Sequence, residues 1–325
     1  MKALVVSELA ADYGGTRLQE IPAPEPRRGE VLVRVKAAAI NFPDLLMTRG
    51  EYQLKPPLPF IPGMEFSGEV AAVGDGVDPG LIGLAVIGAN RVGAMADYAV
   101  VSADSLRPKP DRLGWAEAAG YRAAYLTACV SLVRRAQVQP GEWVLVHGSA
   151  GGVGLATVDL AKHLGARVIA AGSSPEKLSK VQQLYAPDAI VDVREGFREQ
   201  VKAITGGAGA DVIFDPVGGD IFDESTRCIA FDGRLLVIGF TSGRIPSVNA
   251  NIPLIKGFSV MGVRAGEYGR RFPEKGAENL AMVDAMAADG RIRPYVSAAL
   301  PLEQWREGFD LLAKRQVVGK AVLLP

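Results

Sequence analysis

The sequence predicts an α/β chain of two domains: a β-rich catalytic domain and a doubly wound parallel sheet. Three observations predict it. The 325 residues exceed one ordinary core and suit two domains of about 150 residues each. The first hundred residues are rich in Val, Gly and Pro and run in short alternating or apolar stretches. Beyond Trp115 the pattern changes to apolar strands separated by helical segments.

Taken in order, the N-terminal apolar run after Met1 reads as a first strand. Val31 to Val35 alternates at strand period, as does Ser67 to Val73 more loosely. Pro22 to Pro26 is a stiff connector that neither a helix nor a central strand accepts. Trp115 to Ala136 is Ala-rich and helix-like. Trp143 to His147 is then a buried strand and Gly151 to Leu164 an amphipathic helix. Arg167 to Ala171, Ala189 to Val193, Asp211 to Phe214, Arg234 to Gly239 and Phe258 to Val263 supply five more strands, with a helix at Pro175 to Leu184. The last segments, a helix at Asn279 to Ala288 and a strand at Lys320 to Leu324, are expected to return to the first domain.

Composition narrows the function. Hydrophobic residues make up 48% and charged residues 22%, a globular balance. Lys and Arg total 36 against 36 Asp and Glu, so no global field attracts nucleic acid or an anionic membrane, and neither is expected as a partner. No apolar run approaches the roughly 20 residues of a membrane span, and the N-terminus lacks a signal-peptide layout. Cys129 and Cys228 cannot build a disulfide framework. A cytoplasmic protein is expected.

The strongest motif is Val144-Leu145-Val146-His147-Gly148-Ser149-Ala150-Gly151-Gly152-Val153-Gly154: a strand, a glycine-dense turn, then a helix. This is the setting of a dinucleotide fingerprint. Small residues let backbone amides approach a pyrophosphate, and the helix N-terminus adds partial positive charge. About twenty residues on, NAD sites carry an acid for the ribose 2′-hydroxyl. Here the second strand ends Ala171-Gly172-Ser173-Ser174-Pro175, with Lys177 following. Hydroxyls and an ammonium suit a 2′-phosphate, so NADPH is the expected cofactor.

With these motifs in order, the chain resembles the zinc-independent quinone oxidoreductases, the zeta-crystallin-like family of medium-chain dehydrogenases/reductases. The matching pieces are Asn41-Phe42-Pro43-Asp44, Pro62-Gly63-Met64-Glu65-Phe66-Ser67-Gly68-Glu69-Val70, the glycine turn, Asp215-Pro216-Val217-Gly218-Gly219, Val237-Ile238-Gly239-Phe240 and Gly319-Lys320. The resemblance implies a GroES-like catalytic domain (residues 1–118 and 259–325) split around a Rossmann domain (119–258). It also implies NADPH and a homodimer. It places Asn41 near the nicotinamide, Thr127 at the cofactor's ribose, and Gly151, Gly152 and Val153 at the pyrophosphate. Ser173 and Lys177 fall at the 2′-phosphate, Gly218 in a cofactor loop, Phe240 and Arg264 at the nicotinamide end, and Lys320 near the site mouth.

Zinc alcohol dehydrogenases share the fold that the resemblance implies. In that branch a Cys ligand stands where this chain has Asn41 and a His ligand where it has Met64. Amide and thioether do not replace thiolate and imidazole on catalytic zinc, so no metal is expected. The chain departs from the family pattern at Leu46, at Tyr121-Arg122, at Val193 and in Val263 to Glu267.

Without a metal to stabilise an alkoxide, reduction of a quinone or other conjugated carbonyl is the expected reaction. The negative charge then delocalises on the acceptor, and the protein supplies orientation and hydrogen-bond donors. Asn41 is the candidate donor and Arg264 the candidate electrostatic stabiliser. Asp44 reads as structural, His147 as a core histidine and Asp215 as the organiser of its loop. An enoyl-thioester reductase is the alternative within the enzyme class, for which Arg270, Arg271 and Lys275 could form a basic groove. Outside it, zeta-crystallin-like proteins can serve as lens protein or bind RNA, and the balanced charge argues against RNA.

Overall fold

The computed structural model describes all residues from Met1 to Pro325. The chain divides into two compact units, Met1–Arg122 with Pro294–Pro325, and Ala123–Arg293.

The first unit is built from strands β1 (Lys2–Val6), β2 (Thr16–Glu20), β3 (Glu30–Ile40), β4 (Glu65–Val73), β5 (Ala85–Ala89), β6 (Tyr98–Ser102) and β7 (Arg107–Pro108). The second unit follows with β8 (Trp143–Val146), β9 (Arg167–Gly172), β10 (Ala189–Asp192), β11 (Ala210–Asp215), β12 (Ile229–Val237) and β13 (Ser259–Gly262). The chain then re-enters the first unit with β14 (Val296–Pro301) and β15 (Lys320–Leu324).

In the first unit β1 and β2 form a two-stranded sheet, and the main sheet runs β14-β15-β3-β4-β5-β7, with β6 also on β3. The predicted alternation at Val31 to Val35 is the N-terminal half of β3, where every second residue is buried; towards Ile40 the strand is buried on both faces. Pro22 to Pro26 carries no regular structure, as its missing N–H groups require. Helix Trp305–Ala313 covers the sheet through Trp305 and Phe309; the Phe309 ring meets Tyr13 edge-on at 5.4 Å and Trp305 at 5.6 Å.

This pairing brings three strand ends together. β15 is antiparallel to β3 (Ala321 opposite Ile40), and β3 is antiparallel to β4 (Ala38 opposite Phe66). The first residue of β15, the residue after β3 and the first residue of β4 therefore reach the same end of the sheet. Those residues are Lys320, Asn41 and Glu65.

The second unit holds a six-stranded sheet in the order β10-β9-β8-β11-β12-β13, parallel throughout. This is the doubly wound order expected from the sequence. Burial explains the apolar runs: Val144, Leu145, Val146, Val168, Ile169, Ile213, Leu235 and Leu236 are wholly inaccessible. The chain order reverses between β8 and β11, the place where such sheets bind ligands beyond their C-terminal strand ends. The glycine turn follows β8 there.

Two sequence expectations need correction. The boundary drawn at 118 falls at Arg122, and the return to the first unit comes at Pro294 rather than 259. The reason for the second is that β13 completes the parallel sheet against β12 (Leu235 opposite Val260). Helix Pro273–Ala288 also stays with this unit, where Arg134 Nε donates to Asn279 Oδ1 at 2.7 Å and Arg134 pairs with Glu278 at 2.6 Å. The Ala-rich stretch is also less uniform than expected: it breaks into helices Trp115–Gly120 and Arg122–Cys129 and a π-helical turn, Val130–Arg135. No helix is long and apolar enough to cross a membrane.

Candidate active site

The polar cluster of the first unit centres on Asn41, which precedes helix Phe42–Arg49. Its Nδ2 donates to Glu65 Oε1 at 3.1 Å, and its Oδ1 accepts from Lys320 Nζ at 2.5 Å. Lys320 Nζ also donates to Glu65 Oε1 at 3.0 Å. Three residues from three adjacent strand ends thus close a ring. The ion pair within it is largely out of water, with side chains 11% and 5% exposed. Lys320, which the resemblance places near the site mouth as a cofactor contact, bonds within this cluster.

The backbone of Asn41 is fixed as firmly. Asp44 Oδ2 accepts from Asn41 N at 2.8 Å, and Asp44 Oδ1 accepts from Gly63 N at 3.0 Å. Asp44 is fully buried, and burial pushes its carboxyl up to about 7, with the two N–H bonds pulling the other way. It ties the start of the helix to the Pro62-Gly63 turn, which is the structural part the sequence assigned to it. Gly63 is needed there: its φ is +102°, and a Cβ would come within 2.8 Å of Met95 N.

In the second unit, the turn after β8 leads into helix Gly152–His163, whose N-cap, Gly151, offers no side chain. The first N–H groups of a helix have no intrahelical partner. Those of Gly152 and Val153 therefore meet no side-chain cap. Gly154 allows the tight approach, since a Cβ there would lie 2.2 Å from Gly148 O. Ser149, which replaces the first glycine of the strict fingerprint, is turned inward, its hydroxyl donating to Ala171 O at 3.1 Å. The loop after β11 lies against the turn: a Cβ on Gly148 would be 3.4 Å from Pro216. Asp215 organises this loop as expected, accepting from Val217 N at 2.8 Å and Gly218 N at 2.9 Å.

At the end of β9, Ser174 caps helix Pro175–Tyr185, accepting from Lys177 N, and its hydroxyl donates to Glu176 at 2.8 Å. Ser174 is thus spent on the helix, while Ser173 is exposed beside it. Partial burial pulls the Lys177 ammonium down from its ordinary range, which an anionic neighbour would reverse.

The remaining expected residues are also located. Thr127 bonds back to Ala123 O at 2.8 Å within its helix. Phe240 is 41% exposed, and Gly218 lies beneath it, so close that a Cβ there would be 3.0 Å from the ring. Arg264 precedes helix Ala265–Arg271 and is exposed. His147 is buried, bonded through Nε2 to Ser225 Oγ at 2.9 Å and packed edge-on to Phe197; burial pulls it down to about 3, so it is neutral. Its Nδ1 has no partner, so the core histidine is only half satisfied. Arg270 and Arg271 both pair with Glu267, at 3.0 and 2.9 Å, which offsets the basic groove that a thioester's phosphates would seek.

Comparison with known proteins shows the family. The zinc-binding dehydrogenase family profile matches residues 152–282, and the alcohol dehydrogenase GroES-like domain matches residues 27–111. A quinone oxidoreductase-like protein 2 homolog from Nematostella vectensis is 40% identical over 90% of this chain and 81% of its own length. The chain belongs to the quinone oxidoreductase-like medium-chain dehydrogenases/reductases. Among solved structures, a probable oxidoreductase from Mycobacterium abscessus is 36% identical with a TM-score of 0.89, covering 100% of this chain and 99% of that one. Escherichia coli quinone oxidoreductase complexed with NADPH is 28% identical with a TM-score of 0.89, covering both chains fully.

Within this family, the matched profile carries zinc in its name, and the residues present here do not suit that ion. Asn41 offers an amide already bound to an ammonium, and Met64 packs with Val6, Met47 and Phe60. No three His, Cys, Asp or Glu side chains converge anywhere. The sequence reading missed Glu65 as the carboxylate that completes the cluster. The available signal was an acid opening an apolar strand, matched by a lysine opening another.

Replacing Asp44 by Asn removes one acceptor from two buried N–H groups, at a cost of about 1–3 kcal/mol. The Asp44→Asn variant is therefore expected to melt several degrees lower. The native carboxyl holds its proton more tightly folded than unfolded, so its contribution is complete below about pH 4 and is lost as pH rises through about 7. Melting curves between pH 5 and 8 should show the gap between native and variant narrowing as pH rises.

Proposed function

We propose that this chain is a zinc-independent NADPH:quinone oxidoreductase that also reduces other conjugated carbonyls. The observation that carries the reading is the Asn41–Glu65–Lys320 ring, which offers an N–H donor and a cation where a metal dehydrogenase needs soft or imidazole ligands. The relative named for quinone oxidoreduction and the NADPH-complexed neighbour support it.

The second unit fits the cofactor by its uncapped helix, its exposed Gly151 and its half-buried Gly148 and Gly152. The amides of Gly151, Gly152 and Val153 would hold the pyrophosphate, and Ser173 and Lys177 the 2′-phosphate. Thr127, Gly218, Phe240 and Arg264 complete the proposed contacts. When bound, NADPH supplies a hydride from its nicotinamide. The first unit's part is to orient the acceptor and to receive the charge that develops on its oxygen. Both thiols, Cys129 and Cys228, are free and buried, which suits the reducing cytoplasm where we place the protein.

The homodimer expected from the resemblance finds support in the second unit. β13 is an edge strand of its sheet. Beside it Phe231, Leu254 and Ile255 are 82%, 81% and 74% exposed, and the Phe231 ring lies over Gly257 at the end of helix Asn251–Lys256. A second copy pairing along β13 would cover these groups and satisfy the free strand edge. Sedimentation should give a dimer for the native chain and a monomer for Phe231→Asp combined with Leu254→Asp.

The catalytic reading is checked by following NADPH oxidation with 1,4-benzoquinone. Turnover is expected to persist after dialysis against EDTA, and loss of activity that zinc restores would overturn it. Lys177→Ala is expected to weaken NADPH binding about tenfold, the loss of a charge-assisted contact, while NADH binding changes by less than about twofold.

A further inference from the structure

The ring around Asn41 fixes more than its position. An ammonium can only donate and a carboxylate can only accept, so each demands a different end of the amide. Lys320 Nζ meets Oδ1 and Glu65 Oε1 meets Nδ2. Rotating the amide by half a turn would set N–H against N–H⁺ and C=O against a carboxylate, two repulsions in a largely dry site. One amide orientation is therefore enforced. In it, the Nδ2 hydrogen that Glu65 does not take is left uncommitted, on a half-buried residue.

We infer that Glu65 and Lys320 are positioning residues that orient the Asn41 amide, so that its uncommitted N–H donates to the acceptor's carbonyl oxygen. The inference rests on the carbonyl-reductase reading. As a hydride and its two electrons bond to an alkene or ring carbon of the acceptor, the displaced π pair comes to rest on oxygen. Solvent supplies the one proton that completes the reduction. A donor fixed beforehand towards that oxygen needs no reorganisation as the charge appears. The cation behind Oδ1 also polarises the amide and strengthens its N–H as a donor.

The test exchanges the two charges. Glu65→Lys with Lys320→Glu keeps the ion pair and its neutrality but demands the opposite amide orientation. Three quantities are read: kcat with 1,4-benzoquinone, NADPH affinity by fluorescence, and the 400 nm absorbance of bound 4-nitrophenol, an oxygen-anion probe displaced by quinone. On the native protein the probe should be more ionised than in free solution.

The exchanged variant should lose that extra ionisation and about 100-fold in kcat, near the 10²–10³ typical of a lost oxyanion donor. Its NADPH affinity should stay within about threefold. Lys320→Met, which removes only the cation, should lose about tenfold in kcat, and Lys320→Arg, which restores a donor, should recover most of it. This pair also decides the matter if the exchanged variant does not fold.

Retention of the native probe spectrum in the exchanged variant or in Lys320→Met would overturn the inference, as would a native protein that does not ionise the probe. Loss of NADPH affinity with kcat unchanged would return Lys320 to the role of a cofactor ligand, also against it. A native protein that ionises the probe yet leaves quinones untouched would sink the quinone reading while keeping the donor.

Discussion

The register between β15, β3 and β4 is the constraint on which the first unit's chemistry depends. Side chains alternate across a sheet, so a one-residue slip in either pairing would turn Lys320 or Glu65 to the opposite face. The register is held by apolar burial rather than by the polar groups it serves. Ala37, Ala38 and Ala39 are wholly buried, and Val322 and Leu323 pack opposite them without exposed surface. Phe66, next to Glu65, lies so close to Gly88 that a Cβ there would meet its ring at 2.4 Å. The core thus delivers three polar side chains to one point, where they bond to one another.

A buried ion pair is a poor source of stability, because stripping water from both charges offsets most of their attraction. The Glu65–Lys320 pair is therefore better understood through what it imposes. Asn41 is bound through its backbone N–H by Asp44 and at both ends of its amide by charged groups. Asp44 adds a second buried carboxylate nearby, bonded to backbone N–H groups rather than to Lys320. The two acids thus serve separate ends of the same residue, one fixing the main chain and the other the side chain.

Local signals were the legible part of this molecule. The glycine turn, its strand and its helix are contiguous, and their function follows from backbone geometry; Gly148 to Gly154 could be read as a phosphate site without knowing what lies nearby. Burial patterns gave the parallel sheet, because its strands are apolar on both faces. The role of Asp215 was readable for the same reason, since it bonds to residues two and three positions on. Lys320 was not. It lies 279 positions from Asn41 and 255 from Glu65, and only the strand order joins them. The boundary at Pro294 was missed because helix Pro273–Ala288 is held by Arg134, 145 positions from Asn279 in the sequence.

That division bears on how one fold comes to host different reactions. A glycine turn of this kind holds a phosphate through main-chain N–H groups, so nearly any side-chain change outside its glycines would leave it intact. The cluster uses side chains alone and is rewritten by a few substitutions. With thiolate and imidazole at positions 41 and 64, the strand ends would present soft and borderline donors to a metal cation, able to hold an alkoxide. With an amide and a thioether there, the lysine of β15 brings a positive charge to the same point, bonded to the Asn41 amide. A fixed N–H is too weak an acid to stabilise the localised charge of an alkoxide. It suffices where the acceptor's own conjugation spreads the charge. On the proposed reading, the chemistry open to this chain is set by how much of the developing negative charge the acceptor itself can carry.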